Sequence, residues 1–223
     1  MNIRVAIVLL TVSVLLGTCG APTPLMESPG LVPGSLQTIE AAAEDIIDFA
    51  PNGNWEKVNK DVTDIESAWK SYELQAEKDG ASQAIQAAMN SALMELETAS
   101  ASRDTSGTMQ GSNNVSAAVV ELFALYHPKI PADIGRLDVL ERQVILDVAA
   151  GDYPAAETRL SSTKSIWESV KPSVLKHNGK DVAAQFEASL TAQESALDGK
   201  DDAALTREAR DGLEIVDLLE RLY

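Results

Sequence analysis

The sequence predicts an all-α fold of two tandem four-helix units, and three observations support this prediction. Apolar residues recur at spacings of three and four along most of the chain, whereas no stretch alternates convincingly with period two. Aliphatic residues and alanine are plentiful while aromatic residues make up 4% of the chain, a composition typical of helical bundles. The third observation is an internal duplication that begins near residue 36.

The duplication consists of an apolar helical seam that occurs twice, with a tryptophan in the same register. Gly53-Asn54-Trp55 recurs as Gly151-Asp152-Tyr153. The next apolar positions match at one constant offset: Val58, Val62, Ile65, Trp69, Tyr72 and Ala76 with Ala156, Leu160, Thr163, Trp167, Val170 and Val174. Further matches are Gly80 with Gly179, and Val119, Leu122 and Tyr126 with Val216, Leu219 and Tyr223. The spacing of these positions is that of one face of an α-helix, so both copies predict the same buried stripe.

Each copy contains four predicted helices separated by short breaks. In the first copy they lie near 36–50, 54–78, 81–102 and 113–126, and in the second near 132–150, 153–176, 180–198 and 201–222. The polar stretch from Arg103 to Asn113 is predicted as a loop because it contains glycine and little periodicity. We therefore assign helical repeat 1 to residues 36–127 and helical repeat 2 to residues 128–223, either as separate bundles or as one larger body.

The N-terminus has the pattern of an export signal. Arg4 is followed by an apolar run from Val5 to Leu16, which is too short for a membrane-spanning stop-transfer helix. The run ends in Leu16-Gly17-Thr18-Cys19, which resembles the lipobox of bacterial lipoproteins, although Thr18 replaces the usual Gly, Ala or Ser. This resemblance implies that the signal peptide 1–18 is removed and that Cys19 carries fatty acyl chains such as palmitate. Such a membrane anchor would hold the mature chain on the extracytoplasmic face of a membrane in the cell envelope.

Cys19 is the only cysteine of the chain. Once it is acylated, no thiol remains for a disulfide, for catalysis or for a metal site. Residues 19–35 contain Pro22, Pro24, Pro29 and Pro33 without sustained periodicity, which predicts an extended tether. At ~3 Å per residue this tether reaches roughly 40 to 50 Å from the membrane.

The charge and the missing motifs exclude several functions. The net charge of −16 becomes −17 when Arg4 is removed with the signal, which opposes binding to nucleic acid or to anionic lipid. The chain has no histidine pair of a zinc protease, no nucleophile elbow, no P-loop and no G-x-G-x-x-G. The sequence therefore predicts a non-enzymatic protein without a cofactor.

Three residues are candidates for ligand binding. Trp55 and Tyr153 begin equivalent helices and are expected to be half exposed, where they could line a groove together. His127 lies at the junction of the repeats and is either a loop residue or a single nitrogen ligand. Carboxylates at helical spacing are expected to form a solvated acidic face, although such oxygen clusters also suit hard cations. These acidic groups are Glu40 with Glu44, Asp61 with Asp64, Asp138 with Glu141, and Glu214 with Asp217 and Glu220.

The plan of paired amphipathic helices over residues 36–223 is similar to extracytoplasmic helical domains associated with bacterial metal-uptake systems. The H-x-x-E signature of one such group is missing after His127 and His177, and the segment 207–211 has aspartate where the R-E-x-x-E of iron permeases has glutamate. Two functions follow as hypotheses. The first is a non-enzymatic binding or scaffold lipoprotein with an envelope protein as partner, and the second is a cation-binding accessory of metal uptake. An enzyme of unrecognised type ranks third.

The lipobox gives the first testable prediction. A Cys19→Ser variant should leave the membrane fraction or accumulate with its signal uncleaved, because serine offers no sulfur for acylation. Cell fractionation with mass spectrometry of the N-terminal peptide measures both outcomes. An unaltered protein whose N-terminal peptide carries no acyl mass would contradict the lipoprotein interpretation.

Overall fold

A computed structural model describes residues 30–223, which form eight α-helices and, within that range, no β-strand. The helices of the first repeat are α1 Gly34–Phe49, α2 Trp55–Lys78, α3 Gln83–Ala101 and α4 Thr105–Ala124. Those of the second are α5 Ala132–Ala149, α6 Tyr153–Lys176, α7 Lys180–Asp198 and α8 Asp202–Glu220. The export signal and Cys19 lie outside the described residues. From residue 30 onward, no helix combines the length and apolarity needed to cross a bilayer.

Each repeat is an antiparallel four-helix bundle, as the sequence predicts. Connections of three to five residues between successive helices force neighbours to run in opposite directions. In the first repeat α1 contacts α2 and α4, while α3 contacts α2 and α4; α5 to α8 pack in the same cyclic order. The two bundles are joined by α4 and α5, which pack against each other directly. The tandem units therefore form one connected body.

The turns are repeated as closely as the helices. Asn54 and Asp152 cap α2 and α6, each accepting a hydrogen bond from the backbone N–H three residues later. Arg103 and Lys200 occupy the same left-handed position after α3 and α7, with φ of 56° and 51°. After α2 and α6, however, the left-handed residues are Gly80 and Asn178, so the structural partner of Gly80 is Asn178 rather than Gly179. The duplication thus extends to caps and backbone conformations.

The matched seams are buried in both bundles. Trp69 is 4% exposed and Trp167 is 1% exposed. Each indole N–H has a partner at the equivalent place on the next helix: Asn90 Oδ1 at 2.7 Å for Trp69 and Glu187 Oε1 at 3.3 Å for Trp167. The paired hydrogen bonds satisfy the one polar group of each side chain, so both rings can anchor a core.

The prediction that residues 103–113 form a loop is wrong, because α4 begins at Thr105. Gly111 of this segment packs against another helix and does not break α4. A Cβ on Gly111 would lie 2.8 Å from the backbone N and Cα of Leu96, so glycine lets α4 approach α3 closely. Ser112 then donates a hydrogen bond of 2.6 Å to the Ala43 carbonyl on α1. Small and polar residues are used here for close contact between helices.

Burial of the tryptophans sets a stability prediction. Trp69→Ala or Trp167→Ala should lower the free energy of unfolding by ~3 to 5 kcal/mol, because each leaves a cavity and an unpaired hydrogen-bond partner. Trp55→Ala, at the half-buried start of α2, is the control and should cost less. Urea unfolding measures all three variants. Losses below about 1 kcal/mol at Trp69 and Trp167 would contradict their role as core anchors.

Candidate functional site

The site lies where the two bundles meet, and polar contacts between α4 and α5 fix its geometry. The side-chain amides of Gln110 and Gln143 bond each other in both directions at 2.9 Å. Asn113 adds hydrogen bonds of 3.0 Å to Gln143 Oε1 and 3.2 Å to the Val139 carbonyl. Hydrogen bonds between paired amides are directional, so they fix the register of α5 along α4.

An ion pair strengthens the same contact nearer the junction. Arg136 of α5 holds the Glu121 carboxylate of α4 with two hydrogen bonds, of 2.7 and 2.9 Å. It also pairs with Asp133 one turn earlier on α5. This fork-to-fork geometry resists rotation of the bundles about each other. The relative position of α1, α5 and α8, which line the site, follows from this joint.

We define the inter-repeat groove as two adjoining cavities that share Glu44 and Glu220 in their walls. The first has a volume of about 450 Å³ and an apolar floor that includes Val120, Phe123 and Ile130. The second has a volume of about 310 Å³ and is lined mainly by charged side chains of α1, α5 and α8. The groove therefore has an apolar end beside the junction 127–131 and an acidic end between the bundles.

Carboxylates from three helices converge on this groove. They are Glu40, Glu44 and Asp48 of α1, Asp138 of α5, and Glu214, Asp217 and Glu220 of α8. Two basic side chains also line the groove, Lys129 of the junction and Arg142 of α5. Arg142 pairs with Asp138 and lies 3.3 Å from Glu44 Oε1. Two positive charges cannot balance seven carboxylates, so the groove has an excess of negative charge.

Burial and, to a smaller extent, the neighbouring charges raise the pKa values of three groove carboxyls. Burial is the main cause that raises the pKa of Glu40 and of Glu220 to about 7, and repulsion from neighbouring carboxylates adds to it. Burial also raises the pKa of Asp138 to about 6, although Arg142 opposes the rise. At neutral pH several of these groups are partly protonated. A positive charge entering the groove would displace those protons.

The structure does not bring the three predicted ligand-binding residues together in this groove. Trp55 is half-buried against the first core, and the half-buried Tyr153 donates its hydroxyl hydrogen bond to Asp202 in the second repeat. His127 is exposed in the left-handed conformation, with φ of 45°, three residues after the end of α4. The groove is lined by other residues, although the 127–131 junction that His127 begins forms one of its walls.

The expectation of a solvated acidic face is wrong for two carboxyls. Asp61 is 7% exposed in α2, and Glu141 is fully buried inside the second bundle. Of the predicted acidic groups, Glu40 with Glu44, Asp138, and Glu214 with Asp217 and Glu220 meet at the groove. The groups are far apart in sequence, so helical spacing alone could not reveal that they face one another.

No three His, Cys, Asp or Glu side chains within residues 30–223 form an arrangement that could hold a metal ion. The groove carboxylates are thus distributed along a surface and do not surround one point. Comparison with protein families, with curated proteins and with solved structures finds no match to this chain.

Raised carboxyl pKa values give a prediction for the pH dependence of stability. In the folded state Glu40 and Glu220 bind protons more tightly than in the unfolded chain, so the free energy of unfolding should fall as pH rises from about 4.5 to about 7. The double variant Glu40→Gln and Glu220→Gln should flatten this slope in urea unfolding at pH 5, 6 and 7. As a control, Glu56→Gln with Glu77→Gln removes the same charge from the exposed surface of α2. A slope that both double variants reduce equally would assign the effect to net charge rather than to the groove.

Proposed function

We propose that this chain is a non-enzymatic binding or scaffold lipoprotein of the bacterial envelope, whose inter-repeat groove receives a positively charged segment of a protein partner. The observation that carries the proposal is the convergence of seven carboxylates from α1, α5 and α8 along one groove with an apolar floor. The lipobox at Cys19 supports anchoring on the extracytoplasmic face. The proposal needs no catalytic group and no cofactor.

The electrostatics of the groove favour a cationic guest. Burying Glu40, Asp138 and Glu220 costs free energy, and repulsion from neighbouring carboxylates adds to this cost, which appears as their raised pKa values. Lysine or arginine side chains of a partner would remove that repulsion and form charge-assisted hydrogen bonds with the carboxylates. Binding should therefore release protons and weaken as salt is added.

The apolar end narrows the class of partner further. Val120, Phe123 and Ile130 offer a floor on which aliphatic side chains can be buried. A segment that satisfies both ends is amphipathic, with basic residues on one side and apolar residues on the other. A highly charged but purely polar segment would leave the floor exposed and gain less from binding.

The alternative function, a cation-binding accessory of metal uptake, has the same carboxylates in its favour. A hard cation prefers six or more oxygens around one centre, whereas the groove carboxylates are spread along three helices. We expect calcium, magnesium or ferrous iron to bind weakly and without saturation at physiological salt. Calorimetry would favour the alternative if one ion bound per chain with a micromolar dissociation constant and the double variant Glu40→Gln with Glu220→Gln no longer bound it. This result would contradict the scaffold proposal.

A designed peptide with alternating lysine and leucine pairs tests the proposed function directly. The full-length protein in detergent micelles should bind it with an affinity that rises from pH 6 to pH 8, because Glu40 and Glu220 lose their protons in this range. Glu40→Gln with Glu220→Gln should weaken binding by about tenfold, which corresponds to ~1.4 kcal/mol. Fluorescence anisotropy of a labelled peptide measures the affinity.

The control is again Glu56→Gln with Glu77→Gln, which changes the same number of glutamates to glutamine as the groove variant. Its affinity for the peptide should stay close to that of the unaltered protein. Equal weakening in both double variants would show that binding depends on diffuse charge, and the groove proposal would then fail. A peptide of glutamate and leucine should not bind.

A further inference from the structure

The duplication allows the core of one repeat to be compared with that of the other, position by position. The buried residues of α1 and α5 match at the same constant offset as the seams of α2 and α6, and those of α3, α4, α7 and α8 match at an offset one shorter. By this correspondence Ala43, Leu96 and Val115 of the first repeat are replaced by Glu141, Gln193 and Gly212 in the second. All three apolar residues are fully buried, as are Glu141 and Gln193.

The replacements fit one another sterically. A Cβ on Gly212 would lie 2.9 Å from the Glu141 carboxyl carbon and from its Oε2. A valine at this position, as in the first repeat, would therefore collide with the carboxyl group. Glycine in α8 makes room for the larger side chain of α5, at some cost to the helix. The apolar core of the first repeat is continuous, whereas that of the second is divided into two clusters.

Glu141, Gln193 and Gly212 form a layer in the core of the second repeat, and three acceptor atoms of this layer have no hydrogen-bond donor. Both carboxyl oxygens of Glu141 and the Oε1 atom of Gln193 are buried and have no hydrogen-bond partner. The Gln193 Nε2 group instead donates to Ser189 Oγ at 3.3 Å, and Ser189 donates to the Glu208 carbonyl at 3.0 Å. Three buried oxygens without a donor are costly, and a single proton on the carboxyl group would supply one.

Within residues 30–223, no basic side chain forms an ion pair with Glu141. On its own helix Asp138 adds repulsion and pairs with Arg142, while Asp147 lies 3.4 Å from Arg159 Nε of α6. On α7 the residue beside the carboxyl group is the neutral Gln193. On α8, Gly212 faces the carboxyl and Glu208 pairs with Arg207. A negative charge on Glu141 would thus be buried and unpaired.

We propose that Glu141 is a proton-binding site of the second repeat: it is held as a neutral carboxylic acid that donates a hydrogen bond to Gln193 Oε1, and loss of this proton loosens the packing of α5, α7 and α8. Burial is the main cause that raises the pKa of Glu141 to about 8; the neighbouring Gln193 amide opposes the rise, and repulsion from Asp138 adds to it. The first repeat has alanine at this place and lacks the site. The inference does not depend on what the groove binds.

The sign of the pH dependence follows from the proton count. The folded second repeat keeps a proton on Glu141 that the opened repeat releases above pH about 4.5, so opening becomes more favourable as pH rises. One proton per opening event corresponds to a tenfold increase in the opening constant per pH unit. Glu40 and Glu220, with pKa values of about 7, lose their remaining protons between pH 7 and pH 8, so the Glu141 variants are needed to identify its share of the slope.

Hydrogen exchange of the full-length protein, corrected for the intrinsic rate, tests the proposal. Amides of α5, α7 and α8 should show up to a tenfold larger opening constant at pH 8 than at pH 7, whereas those of α2 and α3 should change little. Glu141→Gln keeps the shape of the neutral acid and should abolish the slope. Glu141→Ala with Gly212→Val restores the residues of the first repeat and should also abolish it. Glu220→Gln is the groove control and should retain it.

Several results would overturn the proposal. One is a Glu141 carboxyl that titrates near pH 4.5 in the folded protein by carbon-detected NMR. Another is a pH 7 to 8 slope that persists in both Glu141 variants. A third is stoichiometric binding of sodium or calcium that stabilises the unaltered protein and is lost in Glu141→Gln, since the layer would then be a cation site.

Discussion

Helix α5 packs against α4, α6 and α8, and the rest of the structure depends on how its polar residues are satisfied. Seven of its eighteen residues are polar or charged, yet only Ala149 at its end is exposed. A helix buried on all sides is usually apolar on all sides. Here Gln143 and Arg136 are paired with α4, and Arg142 reaches Glu44 of α1, so burial of polar groups becomes the joint between the bundles. Glu141 is the member of this set whose carboxyl oxygens remain unpaired.

Local pattern was sufficient to predict most of the fold. Helices α5 to α8 and their breaks follow from apolar spacing, from Gly151 and Asn178 in the turns, and from the seam repeated around Trp69 and Trp167. Local pattern failed at α4, since Gly111 serves an approach to Leu96 that lies in another helix. From local sequence such a glycine is interpreted as a helix breaker, because the residue against which it packs is distant along the chain.

The candidate site was predictable in its parts and not in its assembly. The acidic pairs of α1, α5 and α8 are visible at helical spacing, but their meeting depends on the α4–α5 joint and on amide pairs such as Gln110 with Gln143. The apolar floor gave no signal at all, because Val120 and Phe123 look like ordinary residues of a helix. The layer around Glu141 did carry a signal. When the repeat alignment is extended from the seam to α1 and α5, Glu141 aligns with Ala43. Because the position is predicted to be buried in the first repeat, the aligned glutamate is expected to be buried in the second.

Groove and layer share α5 and α8, so the charge of one acts on the other. Asp138 lies one turn before Glu141, and its negative charge contributes to the raised pKa of Glu141. A cation held beside Asp138 would reduce this repulsion and lower the pKa of Glu141. By linkage, a proton on Glu141 would slightly lower the affinity of the groove for the cation. Burial, however, is the largest cause of the raised pKa of Glu141, and the repulsion from Asp138 is the smallest. The two sites are therefore coupled only modestly. The first repeat has Ala43 in place of the buried carboxyl group. It contributes acidic side chains to the groove but takes no part in this coupling.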